Sequence, residues 1–514
     1  SFNFASYYEN YMVLQRAPHK AVIWGYSPNI GERIIVKMSD TEKIYKSIVS
    51  LGPDGVNGVW KVSLDPENRT DEFTITAISS QGSISIAYVL FGDVWLCSGQ
   101  SNMQFTLIQA FNGTDLANEA SKYPNVRVLT VLQTQSNKPE YDLITIQEPW
   151  SLPNQKSIGF APWKYFSAVC WLYGRNLYDS RQYPIGMIAT DWGGTPVEAW
   201  SSKDALQNCG LKEEGSYKVS KEWTDGNEDL AMGNSDLWNA MIHPFLNMTI
   251  YGAIWYQGEA NQVTNVNLYN CTFPSMIDDW RLKFSSSGNT DPVFPFGFVQ
   301  VTNRPDPTVT TGFTDIRWHQ TADFGYVPNK KMPKVFMAVA MDLPDFVSPY
   351  GSIHPRDKVD VGNRLTLSGL AIAYNDTSVK QWSGPLPTTI SLSSKQVQLE
   401  YDVSLEIRNL KFLPSIFQLC CSIGGSKSCT AGKSWWLPTP IISSTSTSIT
   451  IYSICDDDIL GVRYAWRETP CQFKQCAVYS SDAKLPGPPF IWYRPTGSNS
   501  NKYPLLWDEP VNIH

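Results

Sequence analysis

GDVWLCSGQSNMQ, residues 92–104, joins two kinds of local structure. The run DVWLC (93–97) reads as a strand buried on both faces. Ser98-Gly99-Gln100 then turns the chain into what reads as a helix start at Ser101. Strands without a polar face belong to parallel sheets covered by helices on either side. Further runs of this kind are IGMIAT (185–190), YGAIWY (251–256), FGFVQV (296–301) and KVFMAVAM (334–341). Between them FSAVCWLYGRNLY places Phe166, Cys170, Tyr173 and Leu177 on one helical face. After HPRDK, Pro355 suits a first helical turn, with Val361, Leu365 and Ile372 in helical register. Alternating strand and helix predicts a doubly wound α/β layer structure.

On both sides the pattern changes. From Met12 to about Tyr88 the segments KAVIWGY, ERIIVKM, KIYKSIV, VWKVSL, FTITAI and SISIAYVL alternate between turn-forming Gly, Asn, Asp and Pro, which predicts an all-β module. Beyond Gln381 the segments TTISLSS, QVQLEY, FQLCCSIG, TSITIYSI, LGVRYAW and PFIWYRP repeat that pattern, and the tract SSTSTSIT reads as one polar-faced strand. A chain of 514 residues exceeds one ordinary core. The expected division is a β module over 1–88, an α/β domain over 89–380 and a Cys-rich β module over 381–514.

Net charge is −7 and there is no basic run, which argues against a nucleic-acid surface. Only 17% of residues are charged while 13% are aromatic, a balance that fits secreted, glycan-handling proteins. The 10 cysteines fall into a dispersed set (Cys97, Cys170, Cys209, Cys271) and a crowded one (Cys420, Cys421, Cys429, Cys455, Cys471, Cys476). Neither CxxC pairs nor neighbouring histidines support a zinc site. Even cysteine numbers and N-x-S/T sequons at Asn68, Asn112, Asn247, Asn270 and Asn375 point to the secretory route, with disulfides and surface glycans. No apolar stretch is long enough to span a membrane, and the absence of a signal peptide at Ser1 predicts a processed mature form.

Ligands of an open α/β sheet collect beyond the carboxyl ends of its strands. The residues there are Ser98 to Asn102, Asp191 to Thr195, Gln257 to Asn261, and Asp342 followed by His354. A serine becomes a nucleophile only beside a base, and a base gains from an acid that holds its tautomer. There are 5 histidines. His19 lies in the β module, His514 is the last residue and His243 enters a strand at the wrong end; His319 stays open, and His354 is placed to serve Ser101. Singly, each of these residues is more often a turn, cap or scaffold residue. Their coincidence at successive strand ends predicts one site, of the serine hydrolase kind.

The segments GDVWLCSGQSNMQ, DWGGTPVEAW, WYQGEAN and SIHPRDKVDVGNRL together resemble the sialate O-acetylesterases, carbohydrate esterases of the SGNH hydrolase superfamily. MVLQRAPHKAVIWG, GVRYAW and PGPPF extend the resemblance over nearly the whole chain, and CC with PCQFKQC is similar to the animal, secreted or lysosomal branch. The resemblance implies a three-layer α/β/α SGNH-hydrolase-like domain between N- and C-terminal all-β modules. It also implies removal of O-acetyl groups from sialic acids, free or on glycoconjugates, without a metal or organic cofactor. By motif, Ser101 would be the nucleophile and His354 the base. The oxyanion hole would use Ser101, Gly193 or Gly194, and Gln257, where many relatives carry Asn. Many members place an Asp three residues before the histidine, and here that position is Gly351. The acid is then expected from Glu259, with Asp342 second and Asp357 third. An esterase acting on another acetylated glycan is a rival reading that shares these motifs; a glycan-binding protein with a dead site is a second, against which the joint retention of Ser101, Gly193-Gly194, Gln257-Gly258-Glu259 and His354 argues.

Overall fold

The computed structural model describes residues 1–212, 214–223, 228–302, 305–408, 413, 415–429, 434–482 and 484–513, so His514 lies outside the described residues. They form two compact units. One comprises Ser1–Gln257, Ser275–Phe296 and Lys358–Thr366; the other comprises Gly258–Pro274, Gly297–Asp357 and Leu367–His514.

The first unit is organised around β1 (Gly82–Gly99), a strand of 18 residues. Its first part is largely exposed and pairs antiparallel with Phe73–Ser79; its second part is buried throughout and lies between two parallel neighbours. A register shift opposite Phe73 to Ile75 and a left-handed Tyr88 (φ 59°) divide the parts, as a bulge that bends the strand would. The expected module limit at residue 88 therefore falls inside a strand. The sheet of this unit runs β3 (Ile146–Ser151), β2 (Val126–Val131), β4 (Ile185–Asp191), β1, β5 (Gly252–Tyr256), all parallel except the edge strand β3. Every residue of β2, β4 and β5 is buried, as a sheet with two covered faces requires. Helix α2 (Ala168–Arg181) is capped by Ser167, which accepts from the Cys170 N–H, and a disulfide from Cys97 to Cys170 ties it to β1. Phe166 is buried but precedes the helix.

The second unit contains adjacent strands β6 (Phe296–Gln300, all but its first residue) and β7 (Val335–Val339). Helix α3 (Lys358–Ala373) starts three residues beyond Pro355, which is not in its first turn as expected. The chain from Asp345 to Arg356 is instead held as a loop, because the Asp345 carboxylate accepts from the backbone and guanidinium of Arg356. The C-terminal strands form a five-stranded and a four-stranded antiparallel sheet. SSTSTSIT is not one strand. Ile441–Ser444 and Ser448–Tyr452 are the arms of a hairpin, and the Thr445 hydroxyl, bonded to Ser448 and to the Thr447 N–H, sets the turn. Disulfides join Cys420 to Cys429, Cys421 to Cys455 and Cys471 to Cys476; Cys209 and Cys271 are also disulfide-bonded. No helix among the described residues is long and apolar enough to cross a membrane.

Two of the sequons sit badly for glycans. Asn247 is buried (7% exposed), where a bulky hydrated sugar has no room, and the Asn270 amide donates to the Asp323 carboxylate at 2.7 Å. Asn68, Asn112 and Asn375 are exposed. Mass spectrometry of secreted protein should find glycans on those three asparagines and none on Asn247; an occupied Asn247 would contradict its burial.

At the end of β1, Gly99 has φ +139°, and a Cβ there would lie 2.2 Å from the Tyr256 carbonyl oxygen. Gly99→Ala should therefore cost about 2 kcal/mol or more, seen as a lower urea midpoint. An unchanged midpoint would mean that the two strands separate without cost.

Candidate active site

Register places the carboxyl ends of β1, β4 and β5 side by side, with Gly99 opposite Asp191 on one flank and Tyr256 on the other. The turns that follow stay together: Gln100 N–H donates to Tyr256 O (3.0 Å) and Trp192 N–H to Gly99 O (3.1 Å). Ser101, buried at 2% exposure, opens the four-residue helix α1 (Ser101–Gln104), so its N–H stands ahead of that helix's hydrogen-bond ladder. Gly193 N–H donates to Gln104 Oε1 at 2.8 Å, so of the two expected glycine donors it is already engaged. Gly194 is left-handed (φ 73°). The fully buried Gln257 amide donates to Thr195 O at 3.1 Å, which holds it beside the glycine loop. Thr195 is itself braced by bonds to Trp192 O and from Trp200.

Two groups in this part of the site have no role assigned from the sequence. The Lys358 ammonium donates to Asn102 Oδ1 at 2.7 Å, both side chains fully buried, and lies 4.7 Å from the Phe105 ring centre and 5.1 Å from that of Tyr256. A buried cation one residue from Ser101 favours developing negative charge there. The only signal for it was the lysine in HPRDK, four residues beyond His354. Asp191, at the end of β4, is the second. Burial pushes its carboxyl up to about 8, which keeps it protonated at neutral pH.

The second unit holds the candidate base and the candidate acids. His354 is buried, and its Nδ1 meets Tyr350 O at 2.6 Å. A carbonyl only accepts, so Nδ1 carries the proton and Nε2 the lone pair. The loop is self-supporting: His354 N–H donates to Gly351 O, Gly351 N–H to Ser348 O and Ser348 Oγ to His354 O. Gly351, three residues before His354 at the position expected of an aspartate, has φ 88°, a conformation that suits glycine. Asp342, fully buried, accepts from the Tyr479 hydroxyl at 2.9 Å, and Asp357 pairs with Lys474 at 3.5 Å. Glu259 is buried at the start of the short helix Ala260–Gln262. His319 Nδ1 meets the Asp323 carboxylate at 2.6 Å. His243 Nδ1 bonds Glu140 O, and burial lowers its pKa. Among the described residues no cluster of His, Cys, Asp or Glu is arranged to hold a metal ion.

A family model described as carbohydrate esterase, sialic acid-specific acetylesterase, matches residues 91–345, and one described as sialate O-acetylesterase C-terminal domain matches 387–494. The sialate O-acetylesterase of Homo sapiens is 44% identical over 498 residues, covering 95% of this chain and 92% of that protein. The chain belongs to the sialate O-acetylesterase family. The sialate O-acetylesterase of Mus musculus is 42% identical over 520 residues, covering 95% and 94%. Among solved structures, a carbohydrate acetylesterase from Xanthomonas citri shares the fold, with a TM-score of 0.76 at 24% identity over 96% of this chain and 99% of that one. This family's segment 91–345 takes in Ser101, Gly193, Gly194, Gln257, Glu259 and Asp342; His354 lies just beyond it.

The Asp191 carboxyl gives a pH prediction. In the unfolded chain it titrates near 4 and in the folded chain at about 8, so the stability it contributes is fully present below about pH 4 and is lost as pH rises toward 8. Glu148, also pushed up to about 8 by burial, acts in the same direction. Asp191→Asn should flatten part of the decline in urea midpoint between pH 5 and pH 8. A slope equal to that of the unaltered protein would mean that Asp191 is solvated or paired.

Proposed function

We propose that the protein hydrolyses O-acetyl esters on sialic acids, free or on glycoconjugates, through an acetyl-serine intermediate and with release of acetate. The observation that carries this reading is Ser101 at the end of β1, with a glycine loop and a buried side-chain amide at the ends of the two flanking strands. In the proposal the Ser101 hydroxyl attacks the acetyl carbonyl and His354 Nε2 takes its proton. The oxyanion is met by the Ser101 N–H, the glycine loop, with Gly194 favoured over the engaged Gly193, and Gln257. Collapse passes the proton to the departing sugar oxygen and leaves acetyl-Ser101, which water, activated by the same imidazole, then hydrolyses. Donors placed for the oxyanion are commonly worth about 10²- to 10³-fold each in rate.

The acid of this scheme is Glu259. Asp342 stands second and Asp357 third; they meet Tyr479 and Lys474. The task of Glu259 is to stabilise the imidazolium, because the Tyr350 carbonyl already accounts for the tautomer. The ester chemistry belongs to the α/β part of the chain within residues 89–380, which shares the strand Gly82–Gly99 with the N-terminal β segments, and a β module follows over 381–514. Disulfides fit an oxidising compartment, and a lysosomal or extracellular location is proposed on that ground.

Ser101→Ala should abolish acetate release from an O-acetylated sialic acid and labelling by a serine-reactive probe while leaving the circular dichroism spectrum unchanged. Turnover near that of the unaltered protein would remove Ser101 from the mechanism. An active enzyme that prefers another acetylated glycan would keep the chemistry and change the substrate.

Glu259→Gln should lower kcat about tenfold or more, and more than Asp342→Asn does. The loss should stay well below the roughly 10⁴-fold associated with a wrong histidine tautomer. The reverse ranking in matched kinetics would transfer the acid's role to Asp342, and little effect from either would leave Ser101 and His354 working as a pair.

A further inference from the structure

The C-terminal sheets of the second unit carry a cavity of about 560 Å³ that ester hydrolysis does not use. Four loops line it: 393–395, 423–429, 453–458 and 494–501. All four emerge at the same end of the five-stranded and four-stranded sheets, because the antiparallel registers bring the ends of Thr389–Leu392, Ser448–Tyr452, Phe417–Ser422 and Phe490–Tyr493 together with the starts of their partners. Loops at one end of a rigid sandwich are a common place for binding. Here two of them are stapled, since Cys420 bonds Cys429 and Cys421 bonds Cys455. Walls fixed in advance reduce the ordering cost of binding.

The chemistry of the walls narrows the occupant. Asp458 is neutralised by Lys427 at 3.0 Å and Arg494 at 3.6 Å, whereas the Asp456 and Asp457 carboxylates bond to no described residue. Ser453 is 6% exposed and lines the cavity, and among the described residues its hydroxyl has no hydrogen-bond partner. A nearly buried hydroxyl in that state awaits a polar ligand or water. Three carboxylates against two cations disfavour an anion, and no metal-holding cluster is present among the described residues. The exposed Trp435 (63%) stands opposite Cys421 in register, on the same sheet face as Ile459, which lines the cavity. An exposed indole on that sheet face, together with the Asp456 and Asp457 carboxylates, the Ser453 hydroxyl and the Asn501 amide of the cavity wall, suits a ring that is apolar on its face and hydroxylated at its edge.

We propose that this loop end of the C-terminal module is a second carbohydrate-binding site, which takes a neutral pyranose of a glycan through Ser453, Asp456, Asp457 and Trp435. It is independent of the ester-cleaving machinery and holds whether or not the sialate reading of that machinery does.

The test uses the full chain carrying Ser101→Ala, titrated calorimetrically with neutral oligosaccharides of galactose, N-acetylglucosamine, mannose or glucose. One of these should bind. Asp456→Asn with Asp457→Asn, and separately Trp435→Ala, should each weaken that binding at least tenfold. The same substitutions with Ser101 intact should leave hydrolysis of a small chromogenic acetyl ester unchanged, which also reports correct folding. Absence of binding to every neutral oligosaccharide, binding that survives both sets of substitutions, or a response to calcium ions alone would each overturn the proposal.

Discussion

Where β1 meets β5, the two backbones run so close that a methyl group on Gly99 would sit 2.2 Å from the Tyr256 carbonyl oxygen. The Ser101 end of the candidate site depends on that approach. It brings the Gln100 N–H onto Tyr256 O and the Trp192 N–H onto Gly99 O, so that three consecutive turns share one hydrogen-bonded floor. On this floor α1 presents Ser101, while Gln104 and Gln257 brace the glycine loop from two sides. A strand with a side chain at position 99 would separate these turns and the groups they carry.

Burial then sets the electrostatics. The buried Lys358 side chain donates to the Asn102 amide oxygen and lies over the Phe105 and Tyr256 rings, which places an amine one residue from Ser101. Burial keeps the Asp191 carboxyl neutral, and among the described residues no cation pairs with it. The two histidines of the second unit make a similar contrast. His319 meets the Asp323 carboxylate at Nδ1, whereas His354 meets the Tyr350 carbonyl there.

The cross-links follow the same economy. Cys97 and Cys170 tie the central strand to a covering helix, whereas the C-terminal bridges gather loops at a sheet end. The first kind braces the layer that carries Ser101, and the second shapes a cavity elsewhere in the chain. Rigid scaffold with chemistry on loops is the usual division of labour in such folds.

The amino-acid sequence by itself determined the fold class, the family and the positions of Ser101, Gly193, Gly194, Gln257 and His354 as candidates, because fully apolar runs and four ordered motifs are local signals. It missed β2, where Arg127 interrupts the apolar run; the tertiary structure buries that guanidinium on the carbonyls of Pro124, Tyr11 and Tyr88 and on Glu72, groups far apart in the chain. SSTSTSIT read as one strand because alternation alone does not reveal a hydroxyl-set turn. Gly351 was legible as a missing acid, but that Tyr350 O stands at His354 Nδ1 required the folded loop. Cysteine pairing, the bond from Lys358 to Asn102 across 256 residues and the burial of Asn247 were decided only in three dimensions. Contacts between residues distant in sequence leave no periodicity behind, so packing alone chooses among the partners that composition allows.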